Sequence, residues 1–259
     1  MECGVVYRPI HVFWHVYVVE DRLQRCKAII RRQYDELESS GLLNWATQVH
    51  IGYVSKLPFP LTEVLDHPKI HIAVSKPTGH EGVTTSYLKR FCDSHIGETY
   101  VLYIHTRGVT RQPDTPADDW TLMIEHFNVT RWTKAIYLLQ NYLTCGCELW
   151  PHRHRVRPDD FSYHYSGNFW WARSSYIQCL PPPTYETRHM QSEDWVLQLA
   201  GKGIARECFG ILHRTAPCRY ARGTIDSYRH RYPREYYNCG NETPDHDLAP
   251  LLGKPNHVS

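Results

Sequence analysis

The sequence predicts an α/β fold, with one domain built on a mostly parallel central sheet and helices on both faces. Short apolar runs rich in Val and Ile alternate with helix-length segments through about the first hundred residues. These runs are apolar almost throughout, as expected of parallel strands that are buried on both faces. A chain of 259 residues also fits the size range of one α/β domain.

The N-terminal elements follow from this alternation. We expect strands over residues 10–19, 47–54, 69–75 and 99–105, and helices over 20–40, from Pro60 onward and over 81–93. Gly41 follows the first helix and supplies its stop. Farther along the chain the pattern predicts two helical pieces within 118–143, a basic loop at 153–160, one aromatic strand over 161–172, a short helix over 192–200 and a last strand over 204–212.

Charge and hydropathy argue against two classes of partner. The net charge is only +2, and basic and acidic residues are interspersed, whereas a nucleic-acid footprint needs a concentrated basic face. We therefore expect no nucleic-acid partner. No apolar run is long enough to span a bilayer, and the N-terminal apolar run lacks the basic leader and cleavage site of a signal peptide.

The cysteine pattern indicates a reducing compartment. Nine cysteines are scattered through the chain, an odd number without framework spacing. Cys145 and Cys147 form the one close pair, and no second pair has zinc-ligand spacing. We expect reduced core cysteines in a cytoplasmic protein.

A candidate anion site follows the fourth strand, where residues His105, Thr106, Arg107, Gly108, Val109, Thr110 and Arg111 come in sequence. Ligands of open α/β sheets bind beyond the carboxyl ends of the strands, and an Arg fork suits a diphosphate. The alternative is a solvated loop. Thr78, Gly79 and Glu81 precede a helix after the third strand, where the helix N-terminus could also face a phosphate.

Two segments farther along carry candidate sugar-site residues. Small polar and aromatic side chains adjoin in Ser166, Gly167, Asn168, Phe169, Trp170 and Trp171, a composition suited to holding a sugar unless the aromatic residues pack in the core. Glu193 and Asp194 open a predicted helix. Either carboxylate could deprotonate a hydroxyl, or both could simply complement the helix dipole.

The order of these motifs resembles a GT-A-like glycosyltransferase family found in bacterial polysaccharide loci, algae, plants and large algal viruses. The resemblance covers most of residues 10–200. The matching pieces are residues 11–15, 40–42, Glu81 with Thr84 and Leu88, 103–109, Trp120, Trp132, 167–173, Tyr176, 180–181, Arg188 and 193–195. The aromatic segment and the acidic pair are the specific parts. Where the family usually has Lys, this chain has Arg107, which keeps the positive charge.

The resemblance implies a nucleotide-sugar half (about 1–110), an acceptor and catalytic half (about 111–215) and an irregular tail (about 216–259). The donor would bind at His15, Thr78, Gly79, Glu81, His105, Thr106, Arg107 and Arg111. The acceptor, a glycan or glycoprotein, would bind at Ser166, Gly167, Asn168, Trp170, Trp171 and Arg188. The reaction implied is inverting displacement, with Glu193 or Asp194 as base and Arg107 stabilising the leaving diphosphate.

The resemblance is to the subgroup that lacks the Asp-x-Asp metal motif after the fourth strand. The chain's one Asp-x-Asp is at residues 245–247, in the tail. We therefore expect no required cofactor, with Mn²⁺ or Mg²⁺ as the alternative. The short chain resembles stand-alone transferases that algal viruses use on capsid protein, which suggests a UDP-linked donor such as UDP-xylose. A carbohydrate-binding module, a retaining transferase and a nucleotidyltransferase remain alternatives.

Overall fold

A central sheet organises the fold in the computed structural model, which describes residues 8–147, 149–153, 161–183, 193–199, 208–210 and 231. The strands are β1 (Ile10–Tyr17), β2 (Gln48–Val54), β3 (Ile70–Lys76), β4 (Tyr100–His105), β5 (Thr144–Gly146), β6 (Leu149–Arg153), β7 (Phe161–Tyr165), β8 (Trp170–Arg173) and β9 (Cys208–Gly210). Seven of them form one sheet in the order β3-β2-β1-β4-β8-β5-β9, and β6 pairs with β7.

Helices flank this sheet. They are α1 (Leu23–Ser39), α2 (Leu42–Trp45), α3 (Thr62–Leu65), α4 (Gly82–Ser94), α5 (Pro116–Glu125), α6 (Trp132–Leu138) and α7 (Ser174–Cys179). Strands β1 to β4 run parallel, and β8 alone among the seven described strands of the sheet runs against its neighbours. The predicted α/β class with a mostly parallel central sheet is confirmed. Among the described residues, no helix is long and apolar enough to cross a membrane.

The topology places two strand ends side by side at the centre of the sheet. Strand β1 pairs with β2 on one side and β4 on the other, so the chain winds outward in both directions from the β1–β4 pair. A ligand crevice forms at such a switch point, outside the carboxyl ends of the strands. Here those ends carry Tyr17 and His105, which are therefore placed for binding.

Strand β1 serves both faces of the sheet because successive side chains alternate. Trp14 faces α1, where its indole N–H donates to Gln33 Oε1 at 2.7 Å. His11 and His15 have the opposite parity and lie on the α4 face; His15 Nδ1 is 2.7 Å from Thr84 Oγ1 of that helix. Helix α1 ends where predicted, since Gly41 has a left-handed φ of 75° that glycine adopts without strain.

The predicted single strand over residues 161–172 is wrong. Residues 161–165 and 170–173 form separate strands, β7 and β8, joined by a turn. Gly167 and Asn168 have φ values of 89° and 56°, and Gly and Asn are the residues that most readily adopt this left-handed region. The Gly-Asn pair was therefore a turn signal.

The region over residues 118–143 was predicted to contain two helical pieces, and the structure has two, α5 and α6. Helix α5 and helix α6 are separated by a π-helical turn over His126–Thr130. Asp118 and Thr115 form a capping box at the start of α5, which satisfies free backbone N–H groups there. Trp120 on α5 is 1% exposed and lies against the pocket described below.

The predictions for the C-terminal region are tested only in part. Residues 193 and 194 are α-helical and Trp195–Leu197 form a 3₁₀ turn, so the described part of the predicted helix is helical in both pieces. Ser192 lies outside the described residues. The predicted strand over 204–212 corresponds to β9 at 208–210. Farther along, Arg231 binds Asp114 and Asp119, each at 2.8 Å, at the start of α5.

A cluster of histidines between the sheet and α4 makes stability depend on pH. His11 Nδ1 and His50 Nε2 are 3.0 Å apart, and His50 stacks on Phe13 with ring centroids 4.7 Å apart. His71 and His95 contact the same pair. Burial, together with a smaller effect of the neighbouring histidines, lowers the pKa of His11 to about 4 and of His50 to about 3.

We expect the free energy of unfolding to fall as the pH drops below 6.5. The unfolded chain then binds protons that the folded chain excludes until about pH 4 and pH 3. Each such histidine costs about 1.4 kcal/mol per pH unit across its window. Urea unfolding between pH 7.5 and 4.5 should show a shallower loss for His50→Gln than for the wild type. His80 is exposed, so His80→Gln serves as the control and should lose stability with pH as the wild type does. If the free energy of unfolding of His50→Gln also falls with pH as steeply as that of the wild type, the prediction is contradicted.

Candidate active site

A cavity of 510 Å³ opens at the carboxyl ends of β1 and β4. It is lined by three segments that the sheet brings together from distant parts of the chain, and by one residue near the C-terminal end of the described core. These lining residues are His15, Tyr17, Gly79, His80, Glu81, His105, Thr106, Arg107, Gly108, Val109, Thr110, Arg111 and Glu193.

The loop after β4, residues 106–111, is held in place by hydrogen bonds to its backbone. Thr106 N–H donates to His15 O at 3.0 Å, and the Arg25 Nε donates to Gly108 O at 2.8 Å. Arg25 Nη2 also binds Asp118 Oδ1 at 2.5 Å, which ties the loop to α1 and α5 together. These contacts are made by the protein's own groups, and they fix the backbone of the loop that carries Arg107 and Arg111.

Arg107 is the central cation of the pocket. Its guanidinium carbon is 4.1 Å from the centre of the Trp120 ring, a cation–π geometry that fixes a planar group. Its side chain is 11% exposed, and its Nη1 is 3.9 Å from Glu193 Oε1. This separation is too long for a hydrogen bond. Arg107 and Glu193 therefore lie side by side in the pocket without a direct hydrogen bond between these two atoms.

Glu193 is a carboxyl group that changes charge near neutral pH. Its pKa is raised to about 7, mainly by burial and to a smaller extent by the negative charges of Glu81 and Asp194, while Arg107 acts in the opposite direction. A base works best when its pKa lies near the working pH. Glu193 is therefore suited to accept a proton from a bound hydroxyl.

Glu81 is a second pocket carboxylate with the opposite tendency. Burial alone would raise its pKa, but His105, His15 and the hydrogen bonds from Asn168 and Tyr103 outweigh burial and lower it. Asn168 Nδ2 donates to Glu81 Oε2, and the Tyr103 hydroxyl donates to the same oxygen at 3.1 Å. Glu81 therefore stays ionised where Glu193 titrates.

Two histidines complete the interior of the pocket. His105 Nε2 is 2.9 Å from Gly167 O, and because a carbonyl only accepts, this nitrogen carries the proton. Burial lowers the pKa of His105, although Glu81 opposes this, and burial lowers the pKa of His15 to about 4. Both rings are neutral at pH 7.

Most of the residues predicted to bind a donor meet in this cavity. Its lining includes His15, Gly79, Glu81, His105, Thr106, Arg107 and Arg111, together with Glu193. Thr78 and Asp194 are neighbours in sequence of lining residues and are not themselves in the lining. His80 belongs to the same segment as Gly79 and Glu81, and sequence reasoning missed Tyr17. Tyr17 could have been found, because it ends β1 at the same edge of the sheet as His105.

The predicted acceptor residues lie elsewhere than expected. Trp170 and Trp171 are fully buried, and their indole N–H groups donate to Asn168 Oδ1 and Asn128 O, each at 2.9 Å. They are core residues, because paired central strands leave their large side chains no route to solvent. Ser166 is 1% exposed and Asn168 0%, so neither presents its side chain to the cavity.

The aromatic segment nevertheless contacts two residues of the pocket lining through hydrogen bonds. The Gly167 carbonyl binds His105, and the Asn168 amide binds Glu81. Its predicted role as a sugar-contacting wall is replaced by one in which it orients two lining residues. Arg188 lies outside the described residues. Within the part of the chain that the structure describes, no three His, Cys, Asp or Glu side chains are arranged to hold a metal ion.

The fold and the cavity together define an α/β protein with a polar pocket at the switch point of its parallel sheet. The chain belongs to the family described as a domain of unknown function (DUF8361), which it matches over residues 13–213. No curated protein sequence matches it.

Three solved structures resemble the fold. One is a protein from Desulfovibrio desulfuricans G20 described as a nucleotide-diphospho-sugar transferase, 14% identical, with a TM-score of 0.39 over 86% of this chain and 93% of that one. The second is 4-diphosphocytidyl-2C-methyl-D-erythritol synthase, which is 9% identical, with a TM-score of 0.37 over 82% of this chain and 94% of that one. The third is HddC from Yersinia pseudotuberculosis, which is 12% identical, with a TM-score of 0.36 over 68% of this chain and 80% of that one. These similarities do not bear on the function of this chain.

Proposed function

We propose that this protein transfers a sugar from a nucleotide-sugar, such as UDP-xylose, to a hydroxyl of a glycan acceptor. The observation that carries the proposal is that one 510 Å³ cavity is lined by both arginine and glutamate side chains. Arg107 and Arg111 with the loop between them suit a diphosphate, while Glu193, with a pKa of about 7, suits a reacting hydroxyl.

The reaction is a direct displacement with inversion. The acceptor hydroxyl oxygen forms a bond to the anomeric carbon as its proton passes to Glu193. The bond from that carbon to the diphosphate oxygen breaks, and the nucleoside diphosphate leaves with the electron pair. Arg107 stabilises the charge that grows on the departing oxygen, and an interaction that strengthens in the transition state accelerates the step.

Tyr17 gives the pocket a flat apolar surface. Among the described residues, Tyr17 is one of the large hydrophobic residues left exposed, at 36%, and its backbone N–H donates to Thr106 Oγ1 at 2.9 Å. An aromatic face of this kind can stack on a nucleobase, a contact worth about 1–3 kcal/mol for single-stranded nucleic acids. We assign it to the base of the donor.

A ligand screen tests the proposal. Binding to the folded state alone raises thermal stability, so the midpoint of unfolding should rise with at least one nucleotide-sugar among UDP-, GDP-, CMP- and dTDP-linked donors. The rise should not require Mn²⁺, since the fixed arginines supply the positive charge. No shift with any donor, with or without Mn²⁺, would sink the proposal.

The products separate the alternatives. With a donor and a mixture of glycan acceptors, release of a nucleoside diphosphate supports sugar transfer, and proton NMR of the product distinguishes inversion from retention. Release of pyrophosphate from a nucleoside triphosphate would instead identify a nucleotidyltransferase. Binding without any turnover would identify a carbohydrate-binding module.

A further inference from the structure

Two hydrogen-bond acceptors face each other in the cavity. The Oε2 of Glu81 is occupied by Asn168 and Tyr103, which leaves Oε1 for the pocket. The Nδ1 of His105 is 3.7 Å from that oxygen. Glu81 and His105 both line the cavity, so the two acceptors share one patch of its surface.

No proton joins these two acceptors. The other ring nitrogen of His105 is bound to Gly167 O at 2.9 Å and holds the one proton of a neutral ring, so Nδ1 presents a lone pair. The pKa of His105 and the pKa of Glu81 are both lowered, which keeps the ring neutral and the carboxylate ionised near pH 7. A carboxylate opposite a lone pair is satisfied only by donors from outside.

We propose that Glu81 Oε1 and His105 Nδ1 form a subsite that binds the two adjacent hydroxyls of a vicinal diol. Each hydroxyl would donate one hydrogen bond, and the 3.7 Å spacing of the acceptors suits donors on neighbouring carbons. A phosphate is repelled here, because it brings only acceptors and negative charge. This inference rests on the proposed function, since a nucleotide-sugar carries such diols on its ribose and on its transferred sugar.

The subsite makes the pocket selective against deoxy ligands. Removing one hydroxyl leaves a desolvated acceptor without a partner, which costs more than the hydrogen bond itself was worth. We expect the affinity for a ligand that lacks either hydroxyl to fall at least about tenfold. Glu81 and His105 would therefore determine which ligand binds, and they would do so without contacting the atoms that react.

Glu81→Gln removes the subsite while preserving its support. The carboxamide oxygen still accepts from Tyr103 and Asn168, so the amide NH₂ takes the place of Oε1 beside His105 Nδ1. An acceptor is then replaced by a donor, and the pair can no longer accept from two adjacent hydroxyls. Glu98→Gln is a matched control: Glu98 is 16% exposed against 21% for Glu81, and it binds Ser174 and Ser175 near the start of β4, at the opposite end of that strand.

Titration calorimetry tests this with UDP-glucose and GDP-mannose, each beside its 2′-deoxyribose form and beside forms lacking one sugar hydroxyl. For wild type and Glu98→Gln, one deoxy change should weaken binding at least about tenfold. Glu81→Gln should bind the parent ligand as weakly as wild type binds that deoxy ligand, with no further loss between the two. A sensitive 2′-deoxy change assigns the diol to ribose, and a sensitive sugar change assigns it to the transferred sugar.

Two other outcomes are distinguishable. If wild type binds a parent ligand and neither the deoxy changes nor Glu81→Gln alters its affinity, the diol subsite is wrong while the proposed function stands. If wild type binds neither the UDP nor the GDP ligands, and the wider donor screen also shows no shift, the proposed function fails and the subsite fails with it. Circular dichroism and unfolding of Glu81→Gln confirm that the variant is folded.

Discussion

Replacing Glu193 with Gln should lower the rate of sugar transfer at least about a hundredfold, the usual contribution of a general base. The amide has nearly the same size but cannot take a proton from the acceptor hydroxyl. Donor binding should change little, because Glu193 is not in hydrogen-bond contact with Arg107 at 3.9 Å. The measurement is kcat with saturating donor and acceptor, next to donor affinity by calorimetry.

The pH profile supplies an independent reading of the same group. A base is active only when deprotonated, so kcat/KM of the wild type should fall as the pH drops through about 7, the pKa of Glu193. Glu193→Gln should lose that limb of the profile. Asp194→Asn is the matched control, since Asp194 is the neighbouring acid and is not in the cavity lining. A full rate for Glu193→Gln, or a hundredfold loss confined to Asp194→Asn, would reassign the base.

The two pocket carboxylates illustrate how one residue type is given two tasks. Glu81 accepts two hydrogen bonds and lies beside two histidines, so its pKa is lowered; burial near Glu81 and Asp194 raises that of Glu193. Environments that push such values apart define which group stays charged and which one moves a proton. On this basis we propose that Glu81 binds the ligand and that Glu193 moves the proton.

The sequence predicted much of the pocket lining because the signals there are local. A buried apolar strand is recognisable by itself, and the rule that ligands bind beyond strand ends then places His105 and Arg107 at the edge of the sheet, whereas His15 was implied by the family resemblance. The glycine stop at Gly41 was equally local. None of these inferences needed to know which strand pairs with which.

The roles of the aromatic segment could not be read in this way. Asn168 supports Glu81, which is 87 residues away in the chain, and Trp170 lies in a core that exists only once β8 has inserted between β4 and β5. Composition indicates that such residues could hold a sugar, but it cannot show which face of a strand is covered. Trp170 and Trp171 are both covered by neighbouring elements, so the prediction that these two side chains contact a sugar was wrong.

Arg107→Ala should lower kcat by about a hundredfold to a thousandfold, the range found for the loss of one preorganised group that stabilises transition-state charge. The leaving diphosphate gains negative charge as its bond to the anomeric carbon breaks, and Arg107 is already stacked on Trp120 at 4.1 Å to meet that charge. Arg111→Ala removes a cation from the exposed rim of the same cavity, so it should mainly weaken donor binding.

Arg107→Lys separates charge from geometry. Lys keeps the positive charge but lacks the planar fork and stacks less well on an aromatic ring, so its kcat should lie between those of the wild type and Arg107→Ala. Removing Arg107 also removes the group that opposes the rise of the Glu193 pKa. The pH limb of Arg107→Ala should therefore move to higher pH, whereas that of Arg107→Lys should stay near 7. Unchanged turnover in Arg107→Ala would leave the diphosphate without its proposed partner, and an unshifted limb would separate Arg107 from the base.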